Sequence, residues 1–241
     1  MRLIAAKYPL VFGALLFIAS MLLAAVLMTV AVIVGIAPET ANGLSRCAVA
    51  ILLLAVFFNW IWRGKPFSGA RLALPALLVI VWNVLYHLAA GSELVPATMI
   101  PRALLLGFAP GILEETVFRG ITISNLLEGG KSPRYALWAS AILFAVIHLT
   151  NGIGMSLPNL LVQVLYSLVI GLFLGMVYLK SHDLATVVLA HAAIDFSNQV
   201  FATQPTESTV PMIIGFVVVV AAITTWSLWE ARSLSDDPVD L

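Results

Sequence analysis

Long apolar runs recur along the whole chain, and they leave few folds open to it. A helix crossing the hydrocarbon core of a bilayer needs about 20 mostly apolar residues. Eight stretches reach or approach that length: about 10–36, 44–62, 71–90, 103–127, 135–151, 157–180, 184–201 and 210–230. Inside lipid only helices and closed barrels satisfy their own backbone polar groups, and runs this long fit helices. The fifth and seventh are short, as tilted or partly buried segments can be. Of 241 residues, 61% are hydrophobic and 10% charged, so the expectation is an integral bundle and not a soluble domain. The fold class expected is all-α: a polytopic membrane helix bundle with about eight transmembrane helices.

Turn signals fall between the runs, at Ala37-Pro38-Glu39, Arg63-Gly64-Lys65-Pro66, Glu128 to Pro133, Asn151 to Gly154 and Gln204-Pro205. We divide the chain into 1–100 with the first three helices, 101–201 with helices four to seven, and 202–241 with the last helix and a polar tail. Arg2 and Lys7 precede the first run as in a signal peptide. That run greatly exceeds a leader's apolar region of about 7–15 residues, so it reads as a retained transmembrane helix.

With the N-terminus cytoplasmic, nine basic residues fall inside (Arg2, Lys7, Arg63, Lys65, Arg71, Lys131, Arg134, Lys180, Arg232) and two outside (Arg46, Arg102). That bias follows the positive-inside rule and expects both termini in the cytoplasm of a multi-pass, bacterial-type cell membrane protein. Formal net charge is zero, so no basic footprint for nucleic acid exists. The single cysteine, Cys47, excludes an internal disulfide and reads as a packing residue. Gly171 and Gly175 form a small-xxx-small pattern, suited first to close packing within the bundle and alternatively to a homodimer. Trp60, Trp62, Trp226 and Trp229 are expected in an aromatic belt.

Against this background Glu114, Glu115 and Arg119 stand out inside the fourth run. A charge at bilayer depth costs about 2.5–3.5 kcal/mol even on a lenient insertion scale, so the group must face a polar cavity or other buried partners. Glu115 and Arg119 are four residues apart, on one helical face, and can pair. Glu114 lies about 100° round the helix, so the two carboxylates cannot do the same job. One is neutralised by Arg119 while the other faces a cavity, where a carboxylate can act as general base. His148 follows Phe144 by one turn in the fifth run, and His191 precedes Asp195 by one turn in the seventh. Asn83, His87 and Gln163 complete the intramembrane polar set; His87 reads as a packing residue.

Glu114-Glu115-x-x-x-Arg119, Phe144-x-x-x-His148 and His191-x-x-x-Asp195, in that order on hydrophobic spans, resemble the CPBP family. These are the CAAX proteases and bacteriocin-processing enzymes, also called the Abi or type II CAAX prenyl endopeptidase family. The resemblance covers roughly residues 100–200. It implies an eight-span intramembrane endopeptidase. Glu114 would activate water, His148 would help hold it, and His191 with residue 195 would stabilise the oxyanion. Glu115 and Arg119 would set the position and charge of Glu114, with Phe144 in support. An ionised Asp195 would repel an oxyanion; it helps only when protonated or when it holds His191 as a donor.

No cofactor is required in this scheme. Glu114, His148, His191 and Asp195 are nonetheless a nitrogen and oxygen set that suits zinc, so a metal is the alternative. Pro110-Gly111, one turn before Glu114, is expected to loosen the helix and admit water or substrate. The substrate expected is a membrane-embedded or lipidated peptide or protein: a prenylated C-terminus, a bacteriocin leader or an anchored protein's tail. The rival readings are a non-proteolytic immunity or scaffold protein and a proton-coupled transporter. The latter predicts an inverted repeat, and no second copy of Glu114–Arg119 is found.

Overall fold

The computed structural model describes residues 2–61, 64–152, 155–203 and 209–238. Trp62, Arg63, the Ile153-Gly154 end of one turn, Gln204-Pro205, and the side chains of Arg2 and Trp60 lie outside the described residues. Eight long helical segments follow one another: α1 Pro9–Ile33, α2 Pro38–Ile61, α3 Ala76–Ala89, α4 Ile100–Glu115, α5 Pro133–Ile147, α6 Leu157–Ser181, α7 Leu184–Gln199 and α8 Val210–Ala231. Short helices precede α1 and α3, at Arg2–Lys7 and Ala70–Ala73. The helical path of α4 continues through a π-helical stretch, Thr116–Ile123, into Ser124–Glu128.

Proline sets most of these starts, because a first-turn residue has no helical partner for its N–H. Pro9, Pro38, Pro101, Pro133, Pro158 and Pro211 each lie within the first two positions of a long helix. Side-chain caps add to this: Ser132 accepts from the Tyr135 N–H at 3.2 Å, and Asp183 from the Thr186 N–H at 3.1 Å. Asp183 also accepts from the Gly69 N–H at 3.1 Å, which ties the loop before α3 to the start of α7.

Among the described residues seven helices are long and apolar enough to cross a membrane. The eighth expected span, α7, has 16 residues. It rises about 24 Å, short of a hydrocarbon core of roughly 30 Å. Leu22, Val26, Leu78, Val81, Ile214 and Val217 are exposed on the outer helices, a surface that only lipid accommodates. The protein is an integral, multi-pass membrane bundle. In the belt, Trp229 is 59% exposed, while Trp226 packs on Phe173 with ring centroids 5.8 Å apart.

Two helix pairs place the site. Helices α2 and α4 run parallel: Glu39 meets Arg102 at 3.7 Å near their starts, Gly43 lies against Leu105, and Ile61 lies against Gly120. Helix α7 runs antiparallel to α4 and packs on it most extensively. A Cβ on Gly107 would come within 2.8 Å of the Phe196 backbone nitrogen, and one on Gly111 within 3.1 Å of the Ala192 nitrogen. Small residues here bring the two backbones into contact. Gly171 and Gly175 do the same for α6 against α5, facing Ala141 and Leu137 inside the bundle.

The start of α2 corrects the sequence reading. The apolar run begins near Leu44, but the helix begins at Pro38, so Arg46 sits in its third turn. It is not a loop residue beyond the membrane helix. The expected loosening at Pro110-Gly111 is also displaced. The α-helix continues through Pro110, and the departure from α geometry comes after the glutamates, at Thr116–Ile123. There the Thr122 hydroxyl donates to the Val117 carbonyl at 2.9 Å, five residues back, and the Ser140 hydroxyl of α5 donates to the Phe118 carbonyl at 3.1 Å. Departures of this kind from α geometry are common at functional sites.

Candidate active site

Glu115 is the hub. Its side chain is fully buried, as is that of Arg119, whose Nη1 donates to Glu115 Oε1 at 2.7 Å. The pairing expected from the four-residue spacing is therefore formed. Arg119 Nη2 donates to the Gly171 carbonyl of α6 at 3.0 Å, and its guanidinium lies 4.5 Å from the centroid of the Phe144 ring of α5. One arginine thus ties α4, α5 and α6 together through an ion pair, a hydrogen bond and a cation–π contact.

A fourth helix, α7, joins at the same oxygen. His191 Nδ1 lies 2.7 Å from Glu115 Oε1. Because a carboxylate can only accept, Nδ1 carries the proton and donates. This hydrogen bond spans 76 residues of sequence, and the spacing rules gave no sign of it. Asp195 was expected to orient His191. Its Oδ2 instead stands 3.6 Å from Nε2, beyond hydrogen-bond range, and Glu115 makes the bond that fixes the ring.

Glu114 is set apart, as the 100° offset required. Its Oε2 lies 4.0 Å from His191 Nε2, and its side chain is 12% exposed where that of Glu115 is at zero. The free edge of the His191 ring therefore looks toward two carboxylates, Glu114 and Asp195, and bonds to neither. A single oxygen hydrogen-bonded to both partners at about 2.8 Å would bridge a gap of the Glu114–His191 size.

His148 stands at the C-terminal end of α5, beside Phe144. Its Nδ1 donates to the Phe144 carbonyl at 2.7 Å, so Nε2 is the nitrogen left for other partners. Its ring lies 4.6 Å from that of Phe144, which in turn lies 6.1 Å from His191. Phe144 thus packs near both histidine rings. Among the described residues no hydrogen bond or ion pair joins His148 to Glu114, His191 or Asp195. Nor do any three or more His, Cys, Asp or Glu side chains among them gather as metal ligands. The set suggested for zinc does not form a ligand cage, and no step is routed through a metal.

Three other intramembrane polar residues serve packing or stand apart. The Asn83 amide donates to Ser197 Oγ at 2.8 Å. His87 Nε2 lies 3.3 Å from Asn198 Oδ1, and its ring stacks on Phe201 with centroids 4.3 Å apart. Both link α3 to the α7 end of the bundle. Gln163 contributes a buried Oε1 with no partner among the described residues.

Burial changes sharply along the path of α4. Every residue from Glu115 to Leu127 is buried, while several from Met99 to Glu114 are open or half-open. At the open end a cleft of about 330 Å³ is lined by residues that include Arg102, Leu106, Gln199 and Phe201. Backbone pairing of Val95 with Val200, at 2.8 Å, holds the rim of that cleft.

Part of the chain matches a known family. Residues 96–197 match the family described as type II CAAX prenyl endopeptidase Rce1-like. No match was found among the curated proteins or among the solved structures. The matched segment, less than half of the chain, holds α4 to α7 with all three motifs, so this part of the chain is similar to the Rce1-like type II CAAX prenyl endopeptidase family, as the order of the motifs leads one to expect.

Proposed function

We propose that the protein is an intramembrane endopeptidase that hydrolyses a peptide bond of a membrane-embedded or lipidated substrate, with Glu114 as the base. The observation that carries this reading is the division of labour between adjacent carboxylates. Glu115 is consumed by Arg119 and His191, at 2.7 Å each. Glu114 has no such partner and faces the free edge of His191.

In this mechanism a water sits between Glu114 and His191. Glu114 takes one proton as the water oxygen attacks the substrate carbonyl. The carbonyl oxygen becomes the oxyanion of a tetrahedral intermediate. Nε2 of His191, when protonated, donates toward it, and the Glu115 bond to Nδ1 stabilises that form. His148, with Nδ1 held by Phe144, offers Nε2 to the same water or to the substrate. The proton held by Glu114 then passes to the leaving amine as the C–N bond breaks. In this mechanism Asp195, whose side chain is 30% exposed, accepts a substrate N–H and does not stabilise the oxyanion.

The test is cleavage of a membrane-anchored peptide by the purified protein in liposomes, followed by mass spectrometry, with Glu114→Gln and His148→Ala as controls. Loss of cleavage in both supports the reading. Full activity in Glu114→Gln removes Glu114 as base. Loss on chelation with recovery on zinc would call for a metal that this arrangement does not cage.

A further inference from the structure

Helix α7 carries His191 and Asp195 but is too short to span the hydrocarbon core. Its own length therefore does not anchor its C-terminal end. The anchor comes from a segment that precedes the matched region, Asn83 to Val95.

The contacts form a continuous seam. The Asn83 amide nitrogen of α3 donates to Ser197 Oγ at 2.8 Å and reaches the Ile194 carbonyl at 3.4 Å. Ser197 Oγ in turn donates to the Ile194 carbonyl at 2.6 Å. One turn further along α3, His87 meets Asn198 at 3.3 Å and stacks on Phe201. Partners rise in number together along both helices, so α3 and α7 run parallel. Past α3 the chain turns at Gly91, whose φ of +74° suits glycine. Beyond the turn the Ala202 N–H donates to the Glu93 carbonyl and the Val95 N–H to the Val200 carbonyl, both at 2.8 Å.

Within this seam Asn83 stands nearest the chemistry. The Ile194 carbonyl belongs to the peptide group that joins Ile194 to Asp195, so any shift of that group carries the Asp195 Cα with it. Among the described residues the Asp195 carboxylate accepts no hydrogen bond; its Oδ2 stands 3.6 Å from His191 Nε2. The carboxylate therefore takes its position from the backbone beneath it. That backbone needs support, because a serine hydroxyl bonding back to a helical carbonyl competes with the helix's own ladder. The Asn83 amide holds the same hydroxyl from the other side.

Resting on the protease reading, we propose that Asn83 is a positioning residue for hydrolysis: through Ser197 and the Ile194 carbonyl it fixes the Asp195 carboxylate beside His191. Turnover then depends on a helix that lies outside the matched segment.

The first experiment measures cleavage of a lipidated fluorogenic peptide by the full chain in liposomes. Asn83→Leu keeps much of the side chain's shape and removes the amide. It is expected to lower kcat/KM about tenfold, as a small misplacement of a catalytic group does. Ser197→Ala removes the relay and should lower it by a similar factor, and the two changes together should lower it no further. Asn83→Leu should also add nothing once Asp195→Ala is present, because the group it positions is gone. A merely structural role would instead give the same further loss in either background. That additive result would overturn the proposal, as would full activity in Asn83→Leu.

Amide hydrogen exchange of the full chain in nanodiscs reads the seam without turnover. Asn83→Leu should speed exchange across residues 194–202 by about fivefold and leave residues 115–127 as in wild type. Unchanged exchange at 194–202 overturns the role of Asn83 even if the enzyme is a protease. Faster exchange there in a protein whose wild type cleaves nothing would instead overturn the protease reading and leave the anchoring of α7 standing.

Discussion

The two halves of the α4 path are built on opposite rules. From Glu115 to Leu127 every residue is buried, and the one cation there, Arg119, bonds to a carboxylate and a carbonyl. From Met99 to Glu114 the helix is partly open, and Glu114 and Asp195 there approach the His191 ring without hydrogen-bonding to it. The boundary falls between two adjacent glutamates. A membrane protein tolerates an ionised pair where it is fully enclosed and hydrogen-bonded, and keeps uncommitted charge where water or substrate must enter. The closed half therefore holds geometry, and the open half is available for chemistry.

The largest effect that would sharpen this contrast is on turnover. Glu114→Gln is expected to lower cleavage by 10²-fold or more, about the contribution of a positioned base, while the melting temperature stays near that of wild type. Next is the closed half. Arg119→Met leaves Glu115 as an uncompensated buried charge and should cost about 3–5 kcal/mol, read from denaturant or thermal unfolding in detergent. If Arg119→Met melts like wild type, the closed half is not the brace described. A smaller effect is expected at the helix contact. Gly107→Val sets side-chain atoms against the Phe196 backbone, where even a Cβ would stand 2.8 Å from its nitrogen. That should cost about 1–3 kcal/mol and lower activity by moving His191 away from Glu115. The smallest effect is outside both halves. His87→Phe keeps a ring against Phe201 and loses the 3.3 Å contact to Asn198, so it should cost about 1 kcal/mol and leave cleavage intact.

Much of this was legible in the sequence, for definable reasons. Apolar runs and proline positions mark the helices because lipid imposes length and composition directly. The spacing of Glu115 and Arg119 predicts their bond because both residues belong to one helix. The links that were hidden join different helices. Nothing local relates His191 to Glu115; the bond depends on glycines 107 and 111 seating α7 against α4. The Gly171 carbonyl that receives Arg119 belongs to a third helix and has no side chain to betray it. Arg46 was hidden for another reason. The six residues from Pro38 to Gly43 are too polar to be read as membrane helix, yet they form its first turns, and this moves Arg46 into the third turn of α2.

The account stands most directly on one comparison: Glu114→Gln and Glu115→Gln side by side, each assayed for cleavage of a lipidated peptide in liposomes and for thermal unfolding. The account predicts that Glu114→Gln is folded as well as wild type and inactive, whereas Glu115→Gln is measurably destabilised because its bonds to Arg119 and His191 are weakened. A stable, active Glu114→Gln protein would contradict it.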